Sequence, residues 1–528
     1  MKKIMIFDTT LRDGSQGAGI SFSVEDKIKI AKALDVFGID YIEGGWPGSN
    51  PKDELFFAQA KKIGLKNAKL TAFGSTRRKG CGAGEDKSLR AIVASGVKAA
   101  CIFGKTWDLH VQYALKTTNE ENLKMIADSI SFLKSKKIEV IYDAEHFFDG
   151  YKSNKEYALQ TIKAAWDAGA SVICLCETNG GMLPSDIQKI TGEVKSVFPD
   201  MRFGIHTHND SGCAVANSIM AVEEGCVMVQ GTINGLGERC GNANLCSIIP
   251  ALQIKRDYKC VPAKSLAKLT ELSRYVDEIA NIVPNDSKPY VGRNAFAHKA
   301  GIHVSAIERH SETYEHINPA LVGNERRILV SDLSGKSNIM SKACEMALGI
   351  DNAAEKACKV IDTVKSMENQ GYQYEDADGS FFLLTKKALE DFKPFFKLKS
   401  YRVAVEKNTE GKIVSEATVK LEIKGKEEHT VAEGEGPVNA LDNCLRKALI
   451  DYYPEIKNIV LTDFKVRVIN SEANTAAKVR VLIESSDSAK TWGTIGVNEN
   501  IIDASWQALS DSVEYKLIKK DAHAKRKK

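Results

Sequence analysis

The chain has 528 residues, which is too long for one ordinary hydrophobic core and predicts two or three domains. Its formal net charge of +4 is too small to indicate a nucleic-acid partner. No run approaches the roughly 18 apolar residues that a membrane span needs, and residues 1–3 lead into a predicted strand rather than a signal peptide. The 12 cysteines are scattered, so we expect reduced thiols in a cytoplasmic protein.

Short apolar runs alternate with amphipathic stretches through the first half of the chain, at intervals of about thirty residues. The runs predict strands at residues 3–8, 40–43, 69–73, 99–103, 139–142, 171–175, 202–205 and 227–230. The intervening stretches predict helices, of which the clearest are residues 24–37, 119–136, 155–168 and 214–224.

Eight strand-then-helix units favour a closed parallel (β/α)8 TIM barrel, because several of the strands read as continuous apolar runs. The alternative is an open Rossmann-like sheet, which would need a GxGxxG turn after its first strand. The residues found there, Asp13-Gly14-Ser15-Gln16-Gly17, do not form that turn.

Polar residues follow six of the eight predicted strands. In a barrel the C-terminal ends of the strands share one face, where the active sites of barrel enzymes lie. A single acid there would more often be a helix cap or a surface ion pair, but a ring of them predicts an active site. The ring comprises Asp8, Arg12, Asp13, Glu43, Asp143, Glu145, His146, Glu177, Thr178, His206, His208, Asn234, Glu238, Arg239 and Asn242.

His206 and His208 form the most specific pair in this ring. Residues at i and i+2 of a strand point to the same side, so the two imidazoles could chelate one ion. Asp13 could supply a third ligand, leaving open positions that suit Zn, Mn, Fe or Mg better than a closed structural zinc site. Two ordinary loop histidines are the competing interpretation.

Three motifs carry a family resemblance: residues 8–16 (DTTLRDGSQ), 206–210 (HTHND) and 235–243 (GLGERCGNA). They resemble the 2-isopropylmalate, homocitrate and citramalate synthases, which belong to the metal-dependent Claisen-condensing barrels that also include hydroxymethylglutaryl-CoA lyase. The stretch at residues 43–53 (EGGWPGSNPKD) departs from the commoner Glu-Val-Gly-Phe-Pro pattern and resembles the bacterial citramalate synthase branch. The resemblance covers nearly the whole chain.

The resemblance implies a role for each matching residue. The metal ligands would be Asp13, His206, His208 and Asn242. The substrate would contact Arg12, Gln16, Glu43 and Thr178. Arg12 would stabilise the alkoxide that forms at the carbonyl of the 2-oxoacid, although it could instead be a structural partner of Asp8 or Glu43. Glu145 matches the catalytic glutamate of the family's fifth strand only loosely.

Beyond the barrel, residues 265–282 predict one helix, and residues 296–304 (FAHKAGIHV) with 313–316 (TYEH) resemble the family's small helical subdomain. In relatives this subdomain reaches over the barrel of the partner subunit. The resemblance implies that His303, with Tyr314, helps to remove the methyl proton of acetyl-CoA. Because the segment also contains His298 and His316, at least one of its histidines is expected to serve packing only.

A helical segment is predicted at residues 338–367. In the C-terminal part that follows, period-two runs predict strands at 417–423 and 478–483. Each strand is followed by a glycine-containing turn and then by a predicted helix, at 438–450 and 501–513 respectively. These halves look like an internal repeat and resemble the dimeric regulatory domain of isopropylmalate synthases. The alternative is a domain for stability or dimerisation alone. We therefore predict a barrel at 1–262, helical linker subdomains at 263–395 and an α+β regulatory domain at 396–520.

The resemblance implies a homodimeric acyltransferase that condenses acetyl-CoA with pyruvate to (R)-citramalate, on the route to isoleucine. It also implies a divalent metal ion (Mn, Mg or Zn) and feedback control by a branched-chain amino acid, with isoleucine favoured over leucine. Isopropylmalate or homocitrate synthesis is the alternative within the class. An aldolase or lyase on the same barrel and a non-catalytic amino-acid sensor are the alternatives outside it.

Overall fold

The computed structural model describes residues 2–331, 334–346, 348, 354–389, 392–407, 409–469, 476–488 and 490–526, with only the backbone described at 354 and 520–526. The chain divides into two compact units. The first comprises Met1–Phe296 with Ile317–Glu325, and the second comprises Ala297–His316 with Arg326–Lys528. All 12 cysteines are free thiols. Among the helices of the described residues, none combines the length and hydrophobicity that crossing a membrane requires.

The first unit is built on a closed barrel of eight parallel strands, which confirms the predicted fold class. The strands are β1 (Met5–Asp8), β2 (Tyr41–Gly45), β3 (Lys69–Ser75), β4 (Ala99–Lys105), β5 (Glu139–Glu145), β6 (Val172–Glu177), β7 (Phe203–Thr207) and β8 (Met228–Gly231). The barrel closes because β1 pairs with both β2 and β8. The first, seventh and eighth strands, which carry the predicted metal ligands, are therefore neighbours.

Twelve helices belong to this unit. They are α1 (Val24–Phe37), α2 (Pro51–Ala60), α3 (Lys87–Ser95), α4 (Asp108–His110), α5 (Asn119–Ser135), α6 (Phe147–Ser153), α7 (Lys155–Asp167), α8 (Pro184–Val197), α9 (Ala214–Glu223), α10 (Leu245–Lys255), α11 (Ala263–Leu266) and α12 (Leu269–Ile279). Short 3-10 turns occupy Gly14–Gln16, Ile233–Gly235 and Pro319–Val322, and a π-helical turn occupies Val111–Leu115.

Local sequence signals explain why α1 has the predicted bounds. Ser23 and Asp26 form a capping box at its start, and Gly38 ends it in the left-handed region with φ +94°. Between these signals, Ile30, Ala31 and Leu34 form an apolar face that is fully buried.

The prediction of a single helix at residues 265–282 is wrong, because a turn separates α11 from α12. The turn around Gly323 packs at this break so closely that a Cβ on Gly323 would lie 2.2 Å from the Ala267 carbonyl oxygen. The Thr270 hydroxyl then donates to the Val322 carbonyl at 2.8 Å. A packing contact with a segment about fifty residues away thus ends the first helix, where the local sequence has neither glycine nor proline.

The second unit begins with β9 (Ala297–His298), α13 (Gly301–Arg309), β10 (Arg327–Ile328), α14 (Lys336–Glu345), α15 (Ala354–Asn369) and α16 (Asp378–Ala388). Two similar halves follow, one with β11 (Lys397–Lys407), β12 (Ile413–Ile423), β13 (Lys426–Gly434) and α17 (Pro437–Leu449), the other with β14 (Val460–Val468), β15 (Val479–Ser486), β16 (Thr491–Asn498) and α18 (Ile501–Arg526). Each half is a three-stranded antiparallel sheet followed by a helix, which confirms the predicted internal repeat. The strand that precedes each helix was not predicted.

Candidate active site

Asp13, His206 and His208 come together at the C-terminal face of the barrel. One ligand atom from each lies within 4.8 Å of the others, and all three residues are buried. The Nε2 atoms of the two histidines are 3.2 Å apart, and Asp13 Oδ2 lies 3.4 Å from that of His206 and 3.9 Å from that of His208. The predicted chelating pair and its carboxylate therefore converge on one point.

The pKa shifts of Asp13 and His208 fit a cation, whereas burial lowers the pKa of His206 less than Asp13 raises it. Burial opposes ionisation of Asp13, yet Arg12 and the two histidines hold the pKa of its carboxyl well below its usual range. Burial, reinforced by His206, lowers the pKa of His208 to about 3, so this ring stays neutral and keeps a lone pair for a metal.

Asn242, in the loop after β8, is the fourth ligand that the sequence motifs imply. Its backbone pairs with that of His208, and its side-chain oxygen Oδ1 is buried without a hydrogen-bond partner among the described residues. A buried carbonyl oxygen without a partner is costly in the free protein and is satisfied when it coordinates a cation. Two imidazole nitrogens with carboxylate and amide oxygens suit a divalent ion, so the residues present fit the implied metal.

Arg12 borders this cluster and is held on three sides. Its Nε donates to Glu43 Oε2 at 2.7 Å, its Nη1 lies 3.5 Å from Asp13 Oδ2, and its guanidinium sits 3.8 Å from the centroid of the Phe73 ring. Glu43 is fully buried and also accepts from the Thr9 hydroxyl at 2.5 Å. Burial raises the pKa of Glu43, and Arg12 partly offsets that rise.

Three aromatic rings bound the space beside Arg12. Phe73 stacks on Phe103 with centroids 5.4 Å apart, and Trp46 meets both rings edge-on at 5.4 and 5.7 Å. The Trp46 indole is fixed because its Nε1 donates to the Ser88 hydroxyl at 3.1 Å. The three rings therefore form a packed aromatic wall, and Arg12 lies against its Phe73 member.

The other predicted barrel residues lie at ends of strands or in the loops that follow them. Glu145, at the end of β5, forms an ion pair with Lys105. The Thr178 hydroxyl, just past β6, accepts from the His146 backbone N–H at 3.0 Å and keeps its own proton free to donate elsewhere. Gln16 is exposed, with Oε1 3.5 Å from Arg12 Nη1.

His303 and Tyr314 belong to the second compact unit. Their rings stack with centroids 4.0 Å apart, so the structure brings this predicted pair together. His303 is half-buried on α13, and Tyr314 is 45% exposed. His298 instead faces Glu315 at 3.4 Å, in keeping with a packing role for one histidine of this segment.

Comparison with known proteins identifies the family. The chain is 56% identical over 522 residues to an (R)-citramalate synthase of Geobacter sulfurreducens, covering 99% of both chains, and 55% identical to one of Aquifex aeolicus, covering 98% of both. The chain belongs to the (R)-citramalate synthase family. A 2-isopropylmalate synthase of Methanocaldococcus jannaschii is more distant, at 32% identity over 98% of this chain and 96% of the relative.

Models of known protein families match most of this chain. Residues 3–276 match the HMGL-like family, residues 290–372 match the homocitrate synthase post-HMGL domain-like family, and residues 375–517 match the LeuA allosteric (dimerisation) domain. The resemblance named from the three sequence motifs is thereby confirmed.

Sequence reasoning missed two kinds of residue in this citramalate synthase family member. Gln230 on β8 lies beside His206, but a glutamine inside a strand gives no sign of its partner. Phe73 and Phe103 looked like ordinary strand residues, and only barrel closure shows that they border Arg12. Asn234, counted in the polar ring, instead bonds to Ser273 and Asp277.

Proposed function

We propose that the chain is an (R)-citramalate synthase, which joins acetyl-CoA to pyruvate and releases CoA. The observation that carries this proposal is identity of 45–56% to five (R)-citramalate synthases over 97–99% of the chain, against 32% to 2-isopropylmalate synthases. The converging donors at the barrel face supply the chemistry that such a condensation needs.

The reaction has three steps. A proton must leave the methyl group of acetyl-CoA, the carbanion must attack the ketone carbon of pyruvate, and water must then cleave the thioester. A divalent ion, when bound by Asp13, His206, His208 and Asn242, supplies a Lewis acid beside the 2-oxoacid. Arg12 offers N–H donors at the ketone oxygen, where negative charge develops, and the Thr178 hydroxyl can hydrogen-bond the carboxylate.

Glu43 serves this arrangement by orienting Arg12. Its Oε2 accepts from Nε of Arg12, while Nη1 of the same guanidinium lies near Gln16 Oε1 and Asp13 Oδ2. A planar fork anchored at one edge presents its remaining donors in a fixed direction. We assign Gln16 to the rim of the substrate site because its side chain is exposed and lies beside that fork.

For the proton transfer we propose His303, stacked on Tyr314, as the base, with Glu145 assisting from the barrel. In the free protein Glu145 is paired with Lys105, so its carboxylate would have to exchange that partner to act. We propose that His303 acts on the barrel of the partner subunit in a homodimer. The match of residues 375–517 to a dimerisation domain supports this assembly.

The aromatic wall supports pyruvate as the 2-oxoacid. Trp46, Phe73 and Phe103 pack on one another, and Phe73 lies against Arg12, so we place the side chain of the 2-oxoacid against these rings. Pockets discriminate between such substrates by about 1–3 kcal/mol per methylene. Three rings that pack on one another cannot easily move aside for a larger side chain, and the wall therefore favours the smallest substrate.

The test is CoA release with acetyl-CoA saturating and a panel of 2-oxoacids supplied in turn. We expect release only when an oxoacid is present, and a higher kcat/KM for pyruvate than for 2-oxobutanoate or 2-oxoisovalerate. Preference for 2-oxoisovalerate would instead indicate an isopropylmalate synthase. Release without an oxoacid would indicate a hydrolytic activity, cleavage of citramalyl-CoA would indicate a lyase, and no turnover would indicate a sensor.

We propose further that the C-terminal domain of this cytoplasmic enzyme binds isoleucine and lowers its activity. The turns that open α17 and α18 are candidate sites, because helix N-termini receive carboxylates. The Asn439 side chain already accepts from the Glu435 N–H at 3.1 Å, and that of Asn500 accepts from the Ile502 N–H at 2.8 Å, so the effector would have to replace these hydrogen bonds.

Point variants test this better than truncation, because Ser380 of α16 bonds Asp511 of α18 and a cut near residue 397 would break that packing. Asn439→Asp should weaken isoleucine inhibition by about 5- to 150-fold, since a fixed carboxylate would repel the effector. Glu410→Asp, in the turn after β11, is the control and should leave inhibition unchanged. Unchanged inhibition in Asn439→Asp would exclude this turn.

A further inference from the structure

A buried chain of three side chains runs from the metal cluster into the barrel interior. His206 on β7 faces Gln230 on β8, with Nδ1 and Oε1 2.9 Å apart. Gln230 in turn donates from Nε2 to Asp143 Oδ1 on β5, at 2.8 Å. All three residues are buried, so water does not compete for these bonds.

The first link fixes where the proton of His206 resides. An amide oxygen can only accept a hydrogen bond, so Nδ1 of the ring must carry the hydrogen when it faces Gln230 Oε1. In the neutral ring the other nitrogen, Nε2, then keeps its lone pair, and it is the atom that lies 3.4 Å from Asp13 Oδ2 and 3.2 Å from His208 Nε2. A metal needs that form of the ring.

The second link fixes which end of the Gln230 amide meets His206. An amide can turn over with little change in shape, and the turned form would present N–H₂ to Nδ1 and favour the wrong tautomer. Asp143 prevents this, because its carboxylate oxygen accepts and would be left facing the amide oxygen of a turned Gln230. The Cys101 sulfur, 3.8 Å from Gln230 Nε2, is a further weak acceptor on the same side.

The environment makes this orientation strict. Asp143 lies in the barrel interior beside Cys174 and Cys176, and no lysine or arginine of the described residues is within ion-pair distance of it. Burial raises the pKa of Asp143, and the charge of His206 together with the bonds to Cys101 and Gln230 partly offsets that rise. Two oxygens facing each other in such a setting would repel without relief from solvent.

We infer that Asp143 and Gln230 are positioning residues for the metal site: Asp143 fixes the amide of Gln230, and Gln230 fixes the tautomer of His206. Neither is one of the proposed metal ligands or substrate-binding residues. The partners that orient a metal-binding histidine typically account for about 10- to 100-fold in metal affinity. The inference rests on the metal site of the proposed function, and its test separates the two.

The test measures Mn²⁺ binding to the metal-stripped full-length protein by isothermal titration calorimetry. Gln230→Met keeps the length of the side chain but removes both bonds, and Asp143→Ala removes the acceptor. Both should bind Mn²⁺ about 10- to 100-fold more weakly than the unaltered protein. Asp143→Asn still offers an amide oxygen to Gln230 Nε2 and should restore affinity to within about threefold.

Ile141→Val is the matched control. Ile141 lies two residues before Asp143 on β5, is fully buried and packs in the apolar cluster that includes Cys101 and Cys174, so its truncation disturbs packing without touching the chain of hydrogen bonds. It should bind Mn²⁺ as the unaltered protein does. If Gln230→Met does not fold, the comparison of Asp143→Ala with Asp143→Asn carries the test.

A second readout addresses the tautomer directly. In protein labelled with ¹⁵N-histidine, long-range ¹H–¹⁵N correlations of His206 should show hydrogen on Nδ1 in the unaltered, metal-free protein and a mixture of tautomers in Asp143→Ala. Unchanged Mn²⁺ affinity and tautomer in Asp143→Ala, or equal loss in Ile141→Val, would overturn the positioning role. An unaltered protein that binds no Mn²⁺ would refute the metal site itself.

Discussion

Replacing Arg12 separates its two roles, in stability and in the reaction. Its bond to Glu43 is 2.7 Å long and the carboxylate is fully buried, with Oε1 lacking a hydrogen-bond partner among the described residues. Arg12→Ala would leave this charge unpaired, which typically costs about 3–5 kcal/mol. Arg12→Lys keeps a cation near Glu43 and over the Phe73 ring, so we expect a loss of only about 1 kcal/mol in the free energy of unfolding.

The effect of Arg12→Lys on turnover should be much larger than its effect on stability. A single ammonium cannot bond Glu43 and also present a fixed pair of donors to the ketone oxygen. Removing one such donor typically lowers kcat by about 10²- to 10³-fold, or about 2.7–4 kcal/mol in the activation free energy. Because the charge develops in the transition state, KM for pyruvate should change less than about tenfold.

Steady-state CoA release at varied pyruvate, with urea unfolding of the same samples, measures both quantities. Arg256→Lys is the control, since Arg256 holds Glu223 at the same 2.7 Å but is more than half exposed, and we expect no change in kcat. An Arg12→Lys enzyme whose kcat stays within threefold while KM rises would refute the reasoning and assign Arg12 to ground-state binding.

Further outcomes follow from other residues. His208→Ala should lose bound divalent metal and turnover while circular dichroism shows a folded barrel, and a metal-free variant with full activity would contradict this. Burial raises the pKa of Asp8 to about 7, so the native state holds a proton that the unfolded chain releases above about pH 4. As the pH rises from 4 to 7, the free energy of unfolding should therefore fall by about 1.4 kcal/mol per pH unit relative to that of Asp8→Asn, measured by urea unfolding. A difference between the two proteins that does not change with pH would refute this assignment. Phe103→Ala should raise kcat/KM for 2-oxoisovalerate relative to pyruvate about tenfold or more. An unchanged ratio would show that the aromatic wall does not contact the substrate. Mixed inactive His303→Ala and Arg12→Ala subunits should regain part of the activity if sites are shared, and none if each chain is complete.

The sequence predicted the features that depend on local pattern. The strand ends revealed Asp13, His206 and His208, because a barrel brings the ends of its strands to one face whatever the side chains between them. Likewise, Ser23 and Gly38 carry caps that could be recognised in the sequence, and α1 has the predicted bounds.

The features that the sequence did not reveal depend on register or on distant packing. Asp143 was noted as one acid among many, but its link to His206 requires the rotation of β5 and β8 about the barrel, which no periodicity contains. Lys27 on α1 is buried and donates to Asp53 at 2.5 Å and to the Gly44 carbonyl at 3.0 Å, contacts that helical periodicity does not reveal. It thereby holds the turn after β2, next to Glu43.

The most direct test of the account is the identity of the product. The protein is incubated with ¹³C-labelled pyruvate, acetyl-CoA and Mn²⁺, and the product is separated on a chiral column while free CoA is counted. The account predicts labelled (R)-citramalate, formed in one-to-one ratio with CoA. Labelled pyruvate that returns unchanged while 2-oxoisovalerate yields 2-isopropylmalate, or formation of the (S) enantiomer, would contradict it.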